Sequence, residues 1–386
     1  MAQGDFEGAA ASLQRTLARL RAPSRQGGPR PRWTRSLAAQ AHTALGRCLI
    51  ERGAMEQALG ELEAALALDP KSGDAHCELA HAHDRAGRKD EAVALLERAV
   101  ERDPLCARAH RALAYWRMEQ GRLDEAIGHG RIAIELDPGS AQAHLELAMA
   151  AARGGMKRQA IEALQHAIAL SPGNADYYLW LAAQYRSDNR LEQAAAWLER
   201  ARGAAPDSPT VCEALAQVYH DLGRHEQVVD QAQAMLRLRP RHPQAYDLMA
   251  SACFQMGRIT EAMHAVDRLI HLDPRAAEHR YKMGLLLQHG GDVPSAMAAY
   301  SLAVEMDPEG EVGRYASEAI QDLDQAQVEQ IMMRAVEDPV FRTKLLRDVD
   351  EAVQEYGYHL SETALAALAA VDFEGAPGDD APPRIH

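Results

Sequence analysis

From Ala39 to Gly310 apolar residues return every three or four positions in short blocks, the spacing that gives a helix one buried face. The blocks are evenly punctuated. Pro70, Pro104, Pro138, Pro172, Pro206, Pro240, Pro274 and Pro308 stand 34 residues apart. In the same register a small residue recurs (Gly46, Ala80, Ala114, Ala148, Ala182, Ala216, Ala250, Gly284), and twelve residues later comes a second column (Ala58, Ala92, Ala126, Ala160, Ala194, Val228, Ala262, Ala296). Small residues at fixed places mark helices that cross with little side chain between them. Between the columns lies a turn position holding Gly53, Gly87, Gly121, Gly155, Asn189, Gly223, Gly257 and Gly291, residue types that tolerate the left-handed conformation ending a helix. Each unit therefore predicts helix A, a Gly turn, helix B and a short link in which Pro stops helix B.

This 34-residue pattern resembles the tetratricopeptide repeat family, with eight copies over residues 39–310. The resemblance implies an all-α, right-handed solenoid of helix-turn-helix repeats whose A helices line a concave side and hold an extended peptide or a helix. Family contacts come from positions 2, 5, 9, 12 and 13 of each unit. In repeats 3 to 5 these positions give Arg108, Arg111, Arg153 and Arg186 against Glu119 and Asp176, with Tyr115, Met118, Leu145, Met149 and Leu179: a mildly basic, partly apolar groove. In repeats 6 to 8 they give Glu213, Asp221, Asp247 and Glu278 without Lys or Arg, beside His220, Phe254, Tyr281 and Leu285: an acidic groove. A partner with an acidic segment followed by a basic one would complement both.

Two departures stand out. The family's usual Trp near the start of helix A is replaced by His42, His76, His110, His144, Tyr178, Cys212, Tyr246 and Arg280, a more polar set. Helix B of the third repeat carries Gly128 and Gly130, which predicts either a close neighbour or a bend. The family's carboxylate clamp and Asn ladder both need Asn on helix A, and neither Asn174 nor Asn189 falls on such a groove position.

Flanking the repeats, residues 1–21 predict an isolated N-terminal helix and residues 22–38 an Arg/Pro/Gly-rich loop leading into the first repeat. Residues 311–327 predict a capping helix, 328–373 a small acidic helical domain, and 374–386 a Pro-rich disordered tail. Within the small domain Val328, Ile331, Met332 and Ala335 share one helix face. Asp338 and Pro339 then open a helix running to about Tyr356, Gly357 closes it, and Ser361 caps a last short helix. Phe341, Leu345, Leu346, Val349, Val353 and Leu365 form its expected core, and Phe341, Leu345, Leu346, Tyr356 and Leu360 are the candidate docking residues. The segment resembles the small-subunit fold of protocatechuate 4,5-dioxygenase and the leaders of nitrile-hydratase-type precursor peptides. The first resemblance carries no metal ligand; the second implies recognition by a peptide-modifying enzyme.

Composition narrows the function. Aromatics are 5% against 47% hydrophobic residues, an Ala- and Leu-rich helical makeup. The net charge of -14 argues against nucleic acid, and residues 311–386 hold six basic against sixteen acidic residues. No stretch reaches membrane-spanning length. Five Cys (Cys48, Cys77, Cys106, Cys212, Cys253) show no paired spacing and read as reduced thiols in a cytoplasmic protein. The cluster His76, His81, His83 and Asp84 does not share one helix face as metal ligands must. No nucleophile elbow, phosphate loop, dinucleotide fingerprint or zinc motif occurs, so neither cofactor, metal nor catalysis is expected. The expected function is a noncatalytic scaffold that holds a protein or peptide in its groove and docks a second protein on its C-terminal helices. The alternative is a precursor, substrate or escort in a peptide-modification pathway.

Overall fold

The computed structural model describes residues 6–21 and 32–371. The expected tail and most of the 22–38 loop lie outside the described residues. Every regular element described is a helix, and the fold is an all-α helix-pair solenoid with extra C-terminal helices. The chain divides into two compact units at Pro206 and Asp207.

The first unit contains α1 (Phe6–Arg21), α2 (Arg32–Glu51), α3 (Met55–Leu68), α4 (Gly73–Arg85), α5 (Lys89–Arg102), α6 (Ala107–Glu119), α7 (Leu123–Leu136), α8 (Ala141–Arg153), α9 (Lys157–Leu170), α10 (Ala175–Ser187) and α11 (Leu191–Ala204). Ala10 and Leu17 of α1 bury against Leu45 and Leu49 of α2. Helix α2 begins at residue 32 rather than after residue 38, because no Pro or Gly follows Pro31 until Gly46. Within this unit the first four A helices touch in succession (α2 with α4, α4 with α6, α6 with α8), whereas no pair of B helices is in comparable contact. The A-helix side is therefore the concave one.

The second unit contains α12 (Pro209–Asp221), α13 (His225–Leu238), α14 (Pro243–Gln255), α15 (Ile259–Leu272), α16 (Ala277–His289) and α17 (Val293–Met306), three further pairs, then α18 (Glu311–Glu337), α19 (Pro339–Arg347), α20 (Val349–Glu355) and α21 (Glu362–Ala369). Helix α18 packs on both α16 and α17, in the place of a next A helix.

The register columns become the packing. Ala58, Ala92, Ala126, Ala160, Ala194, Val228, Ala262 and Ala296 are all fully buried, the helix crossings expected of them. Asn189 and the seven turn glycines have positive φ. The residue after each turn donates back five residues, as Arg88 N–H does to the His83 carbonyl at 2.9 Å and Arg190 N–H to the Tyr185 carbonyl at 2.9 Å, which satisfies the last helical carbonyls. The Gly128–Gly130 question resolves to a close neighbour. A Cβ at Gly130 would stand 3.3 Å from Leu147 Cδ1 in the next A helix, while Gly128 faces open space.

The polar slot in helix A belongs to the scaffold. His110 Nε2 lies 3.2 Å from the Pro104 carbonyl, and the hydroxyls of Tyr178 and Tyr246 donate to the carbonyls of Pro172 and Pro240 at 3.0 and 3.1 Å. Pro lets no helix continue past the link, so a link carbonyl needs a partner from outside, and the slot residue six positions on supplies it. On its other side the slot meets helix B: His42 Nδ1 lies 2.6 Å from Glu61, His110 Nδ1 lies 3.0 Å from His129 Nδ1, and the His144 and His166 rings stand 5.4 Å apart.

These pairs make the first unit acid-sensitive. Burial, then the facing His110, hold His129 below the usual histidine pKa; burial, then His166, do the same for His144. A depressed histidine leaves stability intact above its unfolded pKa near 6.5. Below that value the unfolded chain takes up a proton the fold resists, and stability declines until the folded pKa is passed. His129 also faces Arg117, which opposes its protonation, and Glu125 and Glu97, which favour it; the Pro138 carbonyl favours protonation of His144. Glu146 works the other way: burial raises it to about 6, so its contribution improves as the pH falls from there toward 4.5. The histidine effect is isolated by a His129→Gln/His144→Gln variant. Its melting temperature should fall less than the parent's between roughly pH 7.5 and 5.5, and parallel curves would exclude the pairs as the cause.

Candidate partner-binding grooves

In the first unit the expected groove residues cluster on α6, α8 and α10, but their charges are already engaged. Arg108 bonds Asp74 and Glu78 of the preceding repeat, both at 3.0 Å. Arg153 reaches Glu119 at 2.8 Å and Arg111 lies 3.4 Å from Glu146. The mildly basic face is thereby corrected to a ladder of cross-repeat ion pairs, because residues 30 to 35 positions apart in sequence become neighbours when A helices stack. Met118 and Leu145 are buried and belong to the core side of the face. Tyr115, Arg153 and Arg186 are exposed, and Met149 is half-buried. What remains open is an apolar depression of 440 Å³ lined by Leu145, Tyr177, Leu179, Trp180 and Ala183, with Gln142, Asn174 and Asp176 on its polar side. Trp180, absent from the family's contact positions, is 40% exposed there. Asn174 caps α10 by accepting from Asp176 N–H at 3.0 Å.

In the second unit the acidic reading also changes. Lys282, next to the contact position Tyr281, lies 2.5 Å from Asp247 and 2.8 Å from Glu278. Burial favours its neutral form, yet the two carboxylates prevail and hold its pKa above the usual lysine value. Glu213 accepts from the Gln244 amide at 2.5 Å. Tyr281 sits between Tyr300 and Tyr315 at ring distances of 5.7 and 6.4 Å, which makes it part of the α16–α18 packing. His220 is exposed beside His225. A 510 Å³ pocket opens between α14 and α16, lined by Ala250, Phe254, Leu285 and Leu286 with Asp247, Ser251, Lys282, Gln288 and His289 around them. Phe254 meets His289 edge to face at 4.9 Å.

The C-terminal docking set needs the same correction. Phe341 and Leu345 are buried in a core with Ile331, Ala335, Ala352, Val353 and Leu368; Val349, Tyr356, Leu360 and Leu365 pack against it half-buried. Leu346 is 49% exposed and leaves the expected core. The exposed apolar residues here are Met333, Val336, Val340 and Leu346. The helix expected to run to Tyr356 breaks at Asp348, which caps α20 by accepting from Glu351 N–H at 3.0 Å. The boundary at 327/328 falls inside α18, a single uninterrupted helix.

Among the described residues no group of three or more His, Cys, Asp or Glu is placed to hold a metal ion, and no helix is long and apolar enough to cross a membrane.

Stacked helix pairs whose A helices carry an open pocket in each unit define a repeat protein of the interaction type. The family model described as "Tetratricopeptide repeat" matches residues 1–73, 77–141 and 248–311, just over half of the sequence. The chain belongs to the tetratricopeptide repeat family. It is accordingly a protein–protein interaction module with the architecture of noncatalytic scaffolds. Residues 154–235 also match the model for the anaphase-promoting complex, cyclosome, subunit 3. Similar solved structures include the pilF protein of Pseudomonas aeruginosa (21% identity over 56% of this chain and 99% of that one, TM-score 0.48). Others are a tetratricopeptide protein of Thermus thermophilus (24%, 47% and 100%, TM-score 0.37) and the C-terminal part of a repeat protein of Cytophaga hutchinsonii (17%, 63% and 96%, TM-score 0.47). No curated protein sequence matches significantly. The family matches end at residue 311, so the resemblance of residues 328–373 to a dioxygenase subunit or a leader peptide gains no support from them.

Proposed function

We propose that the chain is a scaffold that grips a partner polypeptide by apolar anchors on its A-helix faces. The observation that carries this reading is the pair of open pockets, one at Leu179 and Trp180, the other at Phe254 and Leu285. Because Arg108, Arg111, Arg153 and Lys282 are matched by carboxylates of their own chain, charge supplies the rim and register of the contact and the apolar pockets supply most of its strength. The exposed Met333, Val336, Val340 and Leu346 form a second docking element.

A photo-crosslinking residue at Leu285 should label the bound polypeptide, and one at Glu101 on an exposed B-helix position should not. Trp180→Ala and Phe254→Ala should each weaken that polypeptide's binding by about 10- to 100-fold, the usual effect of truncating an interface anchor. Labelling at Glu101 alone, or unchanged affinity in both variants, would move the binding surface elsewhere.

A further inference from the structure

Cys77 and Cys106, 29 residues apart in sequence, meet in space. Cys106 stands at the N-cap of α6, where neighbouring repeats carry Ser72, Ser140, Asn174 and Ser208. Cys77 lies one turn into α4 and is buried, whereas Cys106 is only half-buried. Cys106 packs against the buried cluster that holds Cys77. A third residue fixes this approach. A Cβ at Gly73 would lie 2.7 Å from both the Cβ and the Sγ of Cys106, so the first turn of α4 accepts the cysteine only because residue 73 has no side chain. Other repeats carry Ala or Pro at that place: Ala107, Ala141, Ala175, Pro209, Pro243 and Ala277.

We propose that Cys77 and Cys106 form a peroxide-reactive thiol pair that closes to a disulfide between α4 and the N-cap of α6. Donation from the Cys77 S–H lowers Cys106 to about 7 against its partial burial, which provides a thiolate near neutral pH, while the same hydrogen bond and burial keep Cys77 protonated. The Cys106 thiolate attacks one peroxide oxygen; an S–O bond forms, the O–O bond breaks, and hydroxide leaves. Sulfur is oxidised by two electrons to a sulfenic acid and the peroxide is reduced. The Cys77 sulfur then attacks the sulfenic sulfur; an S–S bond forms, the S–O bond breaks, and water departs carrying the Cys77 proton. Two thiols and one hydrogen peroxide thus give one disulfide and two waters. Arg108 spans the same junction through Asp74 and Glu78, so the bond fixes the spacing of the two A helices that carry this ladder.

The test uses the full chain treated with about one equivalent of hydrogen peroxide, followed by alkylation and non-reducing peptide mapping. Trypsin releases Cys77 in residues 72–85 and Cys106 in residues 103–108. These peptides should appear joined, about 2 Da below the sum of their free-thiol masses, with Cys48, Cys212 and Cys253 still alkylated. In Cys106→Ser, oxidation of Cys77 should slow by at least about tenfold, because the attacking thiolate is gone. Sulfinic acid at Cys106 without the cross-link, linkage between two chains, or equal reactivity of all five thiols would each overturn the proposal.

Discussion

Replacing Tyr300 with Ala is expected to cost about 3–5 kcal/mol of stability in the second unit, the range for removing a large buried aromatic. Tyr300 is fully buried on α17 among Ala296, Ala303, Ala316 and Leu323, and its hydroxyl donates to Gln288 at 2.6 Å. It also fills the space left by Gly284 of α16. A Cβ at that glycine would stand 2.5 Å from Tyr300 Cε1, so Gly284→Ala should itself cost roughly 1–3 kcal/mol by overpacking. The same register positions hold Ala80 with Leu96, Ala148 with Leu164 and Ala182 with Leu198 in the first unit. A Gly284→Ala/Tyr300→Leu double variant recreates that pairing and should lose clearly less than Gly284→Ala and Tyr300→Leu summed. Denaturant melts combined with hydrogen exchange over residues 277–323 measure both quantities. Strict additivity would mean that the two residues do not share one packing site.

Much of the architecture was legible because it is periodic. One Pro column, one turn column and two small-residue columns determine where helices stop, turn and cross, and the fully buried second column shows how closely packing follows them. The binding faces were harder to read. The five-position contact set treats each A helix alone, while Arg108, Arg111 and Arg153 find their carboxylates one repeat away, and Lys282 sits just outside the set. Their partners lie near the 34-residue spacing, so the pairing signal was present but distributed over two units. The Cys77–Cys106 contact escaped for the same reason: 29 residues is an unremarkable interval until the link of one repeat is laid against the first turn of its own A helix. The break at Asp348 has a local signal, an Asp followed three positions later by Glu351, the pattern of a capping box. The continuity of α18 follows from the lack of Pro or Gly between Gly313 and Asp338.

That continuity makes α18 the support for the helices after it, and two of its buried polar residues hold them in place. The Gln327 amide donates to the His359 carbonyl and accepts from His359 N–H, both at 2.7 Å. Asp324 accepts from Ser361 N–H at 2.9 Å and from the Ser361 hydroxyl at 2.5 Å. That hydroxyl also caps α21 by accepting from Ala364 N–H at 3.2 Å. Asp324→Ala and Gln327→Ala each leave buried partners unsatisfied, which costs about 1–3 kcal/mol apiece and more when the lost acceptor is charged. Both changes together should cost roughly 3–5 kcal/mol and release residues 357–371 from α18. The core around Phe341 would then lose Leu368 and open to solvent. Limited proteolysis should cut the double variant near Gly357 while leaving the helix pairs of residues 209–306 protected. Asp324→Asn keeps one acceptor for the Ser361 amide and should lose less than Asp324→Ala. If the double variant resists protease like its parent, the C-terminal helices are held by apolar packing alone and the polar latch contributes nothing measurable.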